Sequence, residues 1–541
     1  MKIRSVEILE EELKNFLSNP QTTNNLGKAL KKANTILEVK KDSSFANYTV
    51  GLSQLIEAKT LSEKPDYTPV INKFKRIIDR DPNFVEAYLM LAEIYQEIDR
   101  NKEYDLLHEA NKKFPDHYLI MFKLANLMCF KTGEKEKGLE LFARCVQKLP
   151  LVDAAWAGLG SAYLITRDFE MALKSFETSL SINPENLSSI LGVGVYHFEH
   201  GNFDEARKYY KKALEIDKDS FWGNFNLGLL DLLENDYESG LKTYEKRNKK
   251  QYVEKYGGWK YQEITKDELE KDSNKKILVL REQGFGDDVM YSRYLKPLSE
   301  LGYKVTFGCS PELKEFFALF PELDDVIIDN NIPETDFSYR TFLMSLPWIL
   351  SKFNKIKINS PLKFDSDRFK KNKRKIPEKL KNIFNSKKIK VGIAWSGRPT
   401  HMRDFCRNIK VESLGKIFEN KDIDFFVLQK IYKEEDAKYL EKFENVYNLS
   451  DDLKDFMDTA TFLDKMDVVF TVDTSLVHIA ATMGIETYLF IPLVPDYRWG
   501  LKDSQDWYPS LKLLRQKSRD DWTNPLKMGN EILKKLLSSR S

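Results

Sequence analysis

A chain of 541 residues is too long for one hydrophobic core and predicts two to four domains. Its net charge of +2, from 85 basic and 83 acidic residues, gives no global field for nucleic acid or an anionic membrane. No stretch of about 18 apolar residues could span a bilayer, and four scattered cysteines (Cys129, Cys145, Cys309, Cys406) argue against a disulfide framework and a zinc site. The opening MKIRSVEILEEELKNF is charged throughout and lacks the apolar core of a signal peptide, so a cytoplasmic location is expected.

The first half reads as helical and repetitive. Shifting residues 119–250 by 34 aligns Phe142, Phe176, Tyr210 and Tyr244, and likewise Gly138, Ala172, Ala206 and Gly240. Small residues recur where paired helices must approach closely, and a ring recurs where the second helix plugs the next unit. That period and pattern resemble tetratricopeptide repeats. The best copy is Trp156, Leu159, Gly160, Tyr163, Ala172, Phe176 and Pro184. Four clear repeats and one or two degenerate ones are expected within a helical domain at 1–250. Its concave face would take a protein or peptide.

Residues 251–275 are charged, carry Gly257-Gly258 and read as a connector. Strand-like runs then alternate with helical spacing. They are Lys276–Leu280, Val305–Gly308 and Val326–Asp329 in one region (276–386), and Ile389–Trp395, Phe425–Gln429, Val468–Val472 and Thr487–Ile491 in another (387–541). The alternation predicts parallel sheets covered by helices. The lysine-rich 366–388 reads as a solvated bridge between the two lobes. Two such lobes leave a cleft, the default site.

Three strand-to-helix turns carry backbone suited to phosphate. The first is Gly284-Phe285-Gly286-Asp287, whose GxGxxG spacing fails at Met290; the second is Ser396-Gly397. The third is Asp473-Thr474-Ser475, opening a helix that carries His478. No P-loop lysine motif occurs. Asp365-Ser366-Asp367 mimics a metal-binding triplet but lies in the charged bridge, and no metal site is expected. Trp395 and Tyr497-Arg498-Trp499 offer rings that either stack on a ligand or pack a wall.

LREQGFGDDVMYSRYLKPL, GIAWSGRPTHMRDFCRNI, VVFTVDTSLVHIAATMG and LVPDYRWG…DWYPSLKLLRQ together resemble successive blocks of bacterial tetratricopeptide-repeat glycosyltransferases. The catalytic half of those enzymes is similar to the lipopolysaccharide heptosyltransferases (glycosyltransferase family 9-like) and, more distantly, to protein O-linked N-acetylglucosamine transferases. The resemblance implies an α-solenoid followed by two Rossmann-like lobes of GT-B type. It implies a nucleotide-sugar donor as co-substrate, no essential metal and no other cofactor, and inversion at the anomeric carbon. The acceptor-side lobe would be 276–386 and the nucleotide-sugar side 387–541. Asp287 resembles the general base, with Asp288 its rival, and His401 joins them as a catalytic candidate. Gly284, Gly286, Ser396, Gly397, Arg407, Asp473, Thr474, Ser475 and His478 would hold the donor, with Arg398 and Arg403 as further candidate cations. Repeats are absent from the heptosyltransferases, which suggests a protein acceptor. Two alternatives stand beside this reading: a scaffold whose transferase half binds a nucleotide sugar without turnover, and a transferase acting on a glycan or lipid.

Overall fold

The computed structural model describes residues 7–13, 26–61, 65–247, 261–271, 273–321, 323–332, 337–353, 364–398 and 403–540. The chain divides into two compact units, Met1–Tyr196 and His197–Ser541. The division falls before the last helical pairs, so helices Phe203–Ile216, Phe221–Leu233 and Tyr237–Tyr244 belong to the second unit.

The first unit is built from antiparallel helix pairs, of which Asp153–Thr166 with Phe169–Ile182 is representative. Asp168 caps the second helix through the Met171 N–H at 3.1 Å. Phe176 is fully buried, and a Cβ on Gly160 would stand 2.7 Å from its ring. The small residue is therefore required by close approach, as the repeat pattern implies. Gly51 lies in the same way against Phe74 in an earlier pair, so the degenerate copy keeps the device after losing most of the pattern.

In the second unit, strands β1 (Lys276–Leu280), β2 (Lys304–Cys309), β3 (Asp325–Ile328) and β4 (Tyr339–Phe342) form a parallel sheet in the order β3-β2-β1-β4. A second parallel sheet contains β5 (Ile389–Ala394), β6 (Ile423–Val427), β7 (Val446–Asn448), β8 (Val468–Val472), β9 (Thr487–Ile491) and β10 (Leu511–Arg515), in the order β10-β9-β8-β5-β6-β7. Central β5 pairs Ile393 with Val427 on one side and Phe470 on the other. The central strands β5, β6, β8 and β9 read as strands because both faces are covered and nearly every position is buried. The sequence reading passes over β4, β7 and β10: the first two are only four and three residues long, and β10 places a lysine mid-strand.

The lysine-rich bridge is not a solvated linker. Helices Ser366–Asn372 and Glu378–Phe384 bury Phe369 and Leu380, and Arg374 binds Asp455 at 2.7 Å and Glu315 at 2.9 Å. Lysine composition concealed one buried apolar residue in each helix that anchors it. Asp365 caps the first of them through the N–H groups of Asp367 and Arg368, which accounts for the apparent metal triplet. Among the described residues there is no cluster able to hold a metal and no helix long and apolar enough to cross a membrane.

Candidate functional site

The carboxyl ends of β1, β5 and β8 open onto one cavity of about 780 Å³. In the second sheet the chain passes from β5 outward to β6 and β7, then returns to β8 on the other side of β5. The turns after β5 and β8 thus flank a topological switch point, where an open parallel sheet leaves a crevice. Seven cationic side chains (Arg281, Arg398, Arg403, Arg407, Lys430, Lys454, Arg498) line the cavity with five carboxylates. That balance favours an anionic ligand.

After β8 the chain turns at Asp473-Thr474 and starts a helix, as the apolar run and turn residues predict. Helix Ser475–Thr482 has no side-chain cap at its N-terminus, and Thr474, Ser475 and Leu476 line the cavity. An uncapped helix start directed at a cavity is favourable to a phosphate. His478 is buried, with its ring stacked on Trp499 (centroids 5.4 Å apart) and Nδ1 3.1 Å from the Tyr508 hydroxyl. Burial, with Arg293 nearby, pushes its imidazole down to about 3, so the ring is neutral. A Cβ on Gly286 would lie 2.9 Å from this ring. The helix after β1, Phe285–Tyr291, therefore meets the helix after β8 through Gly286 and His478.

The β5 turn differs from its expectation. The Ser396 N–H donates to Gln429 Oε1 and the Gly397 N–H to Asn408 Oδ1, both at 3.0 Å. These two backbone donors are already engaged and are not free to take up a ligand. Arg407 explains the glycine: a Cβ at 397 would collide with its guanidinium. That guanidinium donates to the Asp473 carbonyl at 2.7 Å and faces Asp404 Oδ1 at 3.2 Å, tying the β5 and β8 turns together.

Asp287 lines the cavity, accepts the Gly284 N–H at 3.0 Å and is ion-paired with Arg498, which binds Asp496 at 2.5 Å. Asp288 points elsewhere. It is 1% exposed, its Oδ2 lies 2.6 Å from Arg281 Nε, and it does not line the cavity. Adjacent helix positions point some 100° apart, which turns Asp288 into the protein while Asp287 lines the cavity. His401 lies outside the described residues. Trp395 is buried and donates to Asp436 at 2.9 Å, which makes it wall packing.

The sequence reading missed Asp496 as a partner of Asp473. Both line the cavity. Burial raises the carboxyl of each; the Asp473 charge adds to the rise at Asp496, while Trp499, Arg407 and Arg403 oppose it at Asp473. Asp496 and Arg498 stand inside the block LVPDYRWG, so the signal was present, but nothing in it says which polar residue turns inward.

The tetratricopeptide repeat family matches residues 151–219. The chain is 43% identical over 63 residues to anaphase-promoting complex subunit 6 of Dictyostelium discoideum, covering 12% of this chain and 7% of that one. It is 30% identical over 90 residues to the protein CTR9 homolog of Arabidopsis thaliana, covering 16% and 8%. The chain thus spans less than a tenth of either relative. Among solved structures, MamA shares 26% identity over 28% of this chain and 90% of its own, with a TM-score of 0.26. The helical pairs preceding the sheets are tetratricopeptide repeats, followed by parallel sheets with helices.

Proposed function

We propose that the second unit is a glycosyltransferase of GT-B type, its two sheets acting as Rossmann-like lobes. It moves a sugar from a nucleotide-diphosphate donor to a hydroxyl or amide of a protein acceptor, which the repeats bind. The observation that carries this reading is the cavity at the β5/β8 switch point. There an uncapped helix start, Arg407 and Asp287 line one space.

In this reading the donor's diphosphate lies at the first turn of helix Ser475–Thr482. As the bond between the anomeric carbon and the diphosphate oxygen breaks, the leaving group gains charge, and preorganised N–H dipoles with Arg407 stabilise it. The acceptor oxygen or nitrogen forms the new bond to that carbon, and its proton passes to Asp287. Asp287 accepts it after shifting from Arg498, which Asp496 retains. Neutral His478 donates or accepts a hydrogen bond without adding charge. The bond from Arg498 to Asp287 also favours a second reading, a repeat scaffold that binds the donor without turnover, since a carboxylate held by a guanidinium is a poor proton acceptor.

A thermal-shift panel of UDP-, GDP-, ADP- and dTDP-sugars identifies the donor by mass-action stabilisation. One nucleotide is expected to shift the wild type and not Asp473→Ala. Asp287→Asn is expected to keep that shift and lose transfer. A donor shift with no transfer to any acceptor by the wild type would leave the scaffold standing, and no shift at all would remove the donor site.

A further inference from the structure

Arg403 lines the cavity, yet its guanidinium is held by a helix of the repeats. One terminal nitrogen donates to Glu199 Oε1 at 2.7 Å, the other to the Val494 carbonyl at 2.9 Å, and the Phe198 ring lies 5.5 Å from its Cζ. Phe198 and Glu199 form the last turn of helix Leu187–Glu199. Arg519 stands 3.9 Å from the second oxygen of Glu199, so the carboxylate is itself fixed from two sides. Its side chain is 10% exposed and that of Arg403 22% exposed. Although burial disfavours the Arg403 charge, Glu199 first and then Cys406 and Asp496 more than offset it, leaving the guanidinium firmly protonated.

An arginine loses much rotamer freedom when it engages a ligand, and one already locked in place loses less. Glu199 does not line the cavity itself, so it contributes orientation from behind while Arg403 presents the charge. We infer that Glu199 is a positioning residue that locks Arg403 toward an anionic diphosphate, making the last repeats part of the site rather than a tethered module. This rests on the diphosphate reading given above.

The test is calorimetric titration of the full chain with inorganic pyrophosphate. Glu199→Gln is expected to weaken binding about tenfold, and Glu199→Asp to recover it to within about threefold of wild type. Combined with Arg403→Gln, the Glu199→Gln change is expected to add less than about twofold, because its effect runs through the arginine. A purely architectural role would lower affinity equally in both backgrounds and would overturn the inference. So would unchanged or tighter binding by Glu199→Gln, since the carboxylate would then act only as a competing anion. If the wild type binds and Arg407→Gln abolishes binding while Glu199→Gln leaves the affinity unchanged, the diphosphate reading stands and the inference falls. If the wild type does not bind pyrophosphate, both fall.

Discussion

Phe176 and Tyr244 occupy the same place in the 34-residue pattern, yet they are buried in different materials. Phe176 is fully buried against Gly160 and Gly192 of the neighbouring helices. Tyr244 enters the core that contains β1, its hydroxyl accepts the Gln283 amide at 2.5 Å, and the Arg247 guanidinium sits 5.0 Å from its ring centre. The wider contrast follows the same line. Among the described residues, buried polar side chains of the first unit are hydroxyls apart from Glu103, whereas the second unit buries eight charged side chains and His478. A repeat array needs only apolar complementarity to stack, while a site must keep polar groups in place against their desolvation cost. A repeat signature therefore says how a helix pair is built, not what its outer face is for.

The sharpest way to break that contrast is to remove one partner of the ion pair beneath Tyr244. Arg247 donates to both oxygens of Glu282, at 2.6 and 2.8 Å, with both residues buried. Arg247→Met leaves an uncompensated carboxylate and is expected to cost about 3–5 kcal/mol, with Arg247→Met/Glu282→Leu recovering much of it, as measured by denaturant unfolding. A double variant no more stable than the single would refute the account.

In the array the equivalent insult is steric. Phe176→Ala is expected to cost about 3–5 kcal/mol from cavity formation, and this cost should not change between pH 5 and 8, because no titrating group is involved.

His478 gives the second unit a pH dependence that comes from a buried neutral imidazole. Its folded imidazole titrates at about 3, and an unfolded one near ~6.5. Below that pH the unfolded chain takes up a proton that the folded chain refuses. The stability is therefore full above about pH 6.5 and falls as pH drops towards 3, by about 3 kcal/mol at pH 4. Unfolding free energies of wild type and His478→Gln should converge as pH falls from 7 to 4; parallel profiles would dismiss the buried neutral histidine.

The smallest effect separates ring from hydroxyl. Tyr244→Phe keeps the packing and loses the bond to Gln283, for an expected cost of about 1 kcal/mol. Phe142→Tyr, at the matching place in the array, should cost more, because it would bury an unpartnered hydroxyl. Equal costs would mean that the two rings share one environment after all.

Much of this was legible in order along the chain. Lys276–Leu280, Val468–Val472 and Thr487–Ile491 form strands at the residues the apolar runs mark, and Thr474 starts a helix where the turn residues place it. Local pattern decides these, because burial on both faces and the start of a helix are properties of adjacent residues. The sequence likewise determined that Gly160 and Phe176 belong together, through a repeat that presents the same short-range contact several times. Tertiary structure alone decided which polar groups face the cavity. The N–H groups of Ser396 and Gly397 are taken by Gln429 and Asn408, Asp288 turns to Arg281 while Asp287 turns to Arg498, and Glu199 reaches Arg403 across 204 positions of chain. Those choices depend on partners brought together by folding, and side-chain partnership at such separations leaves no periodic trace in one sequence.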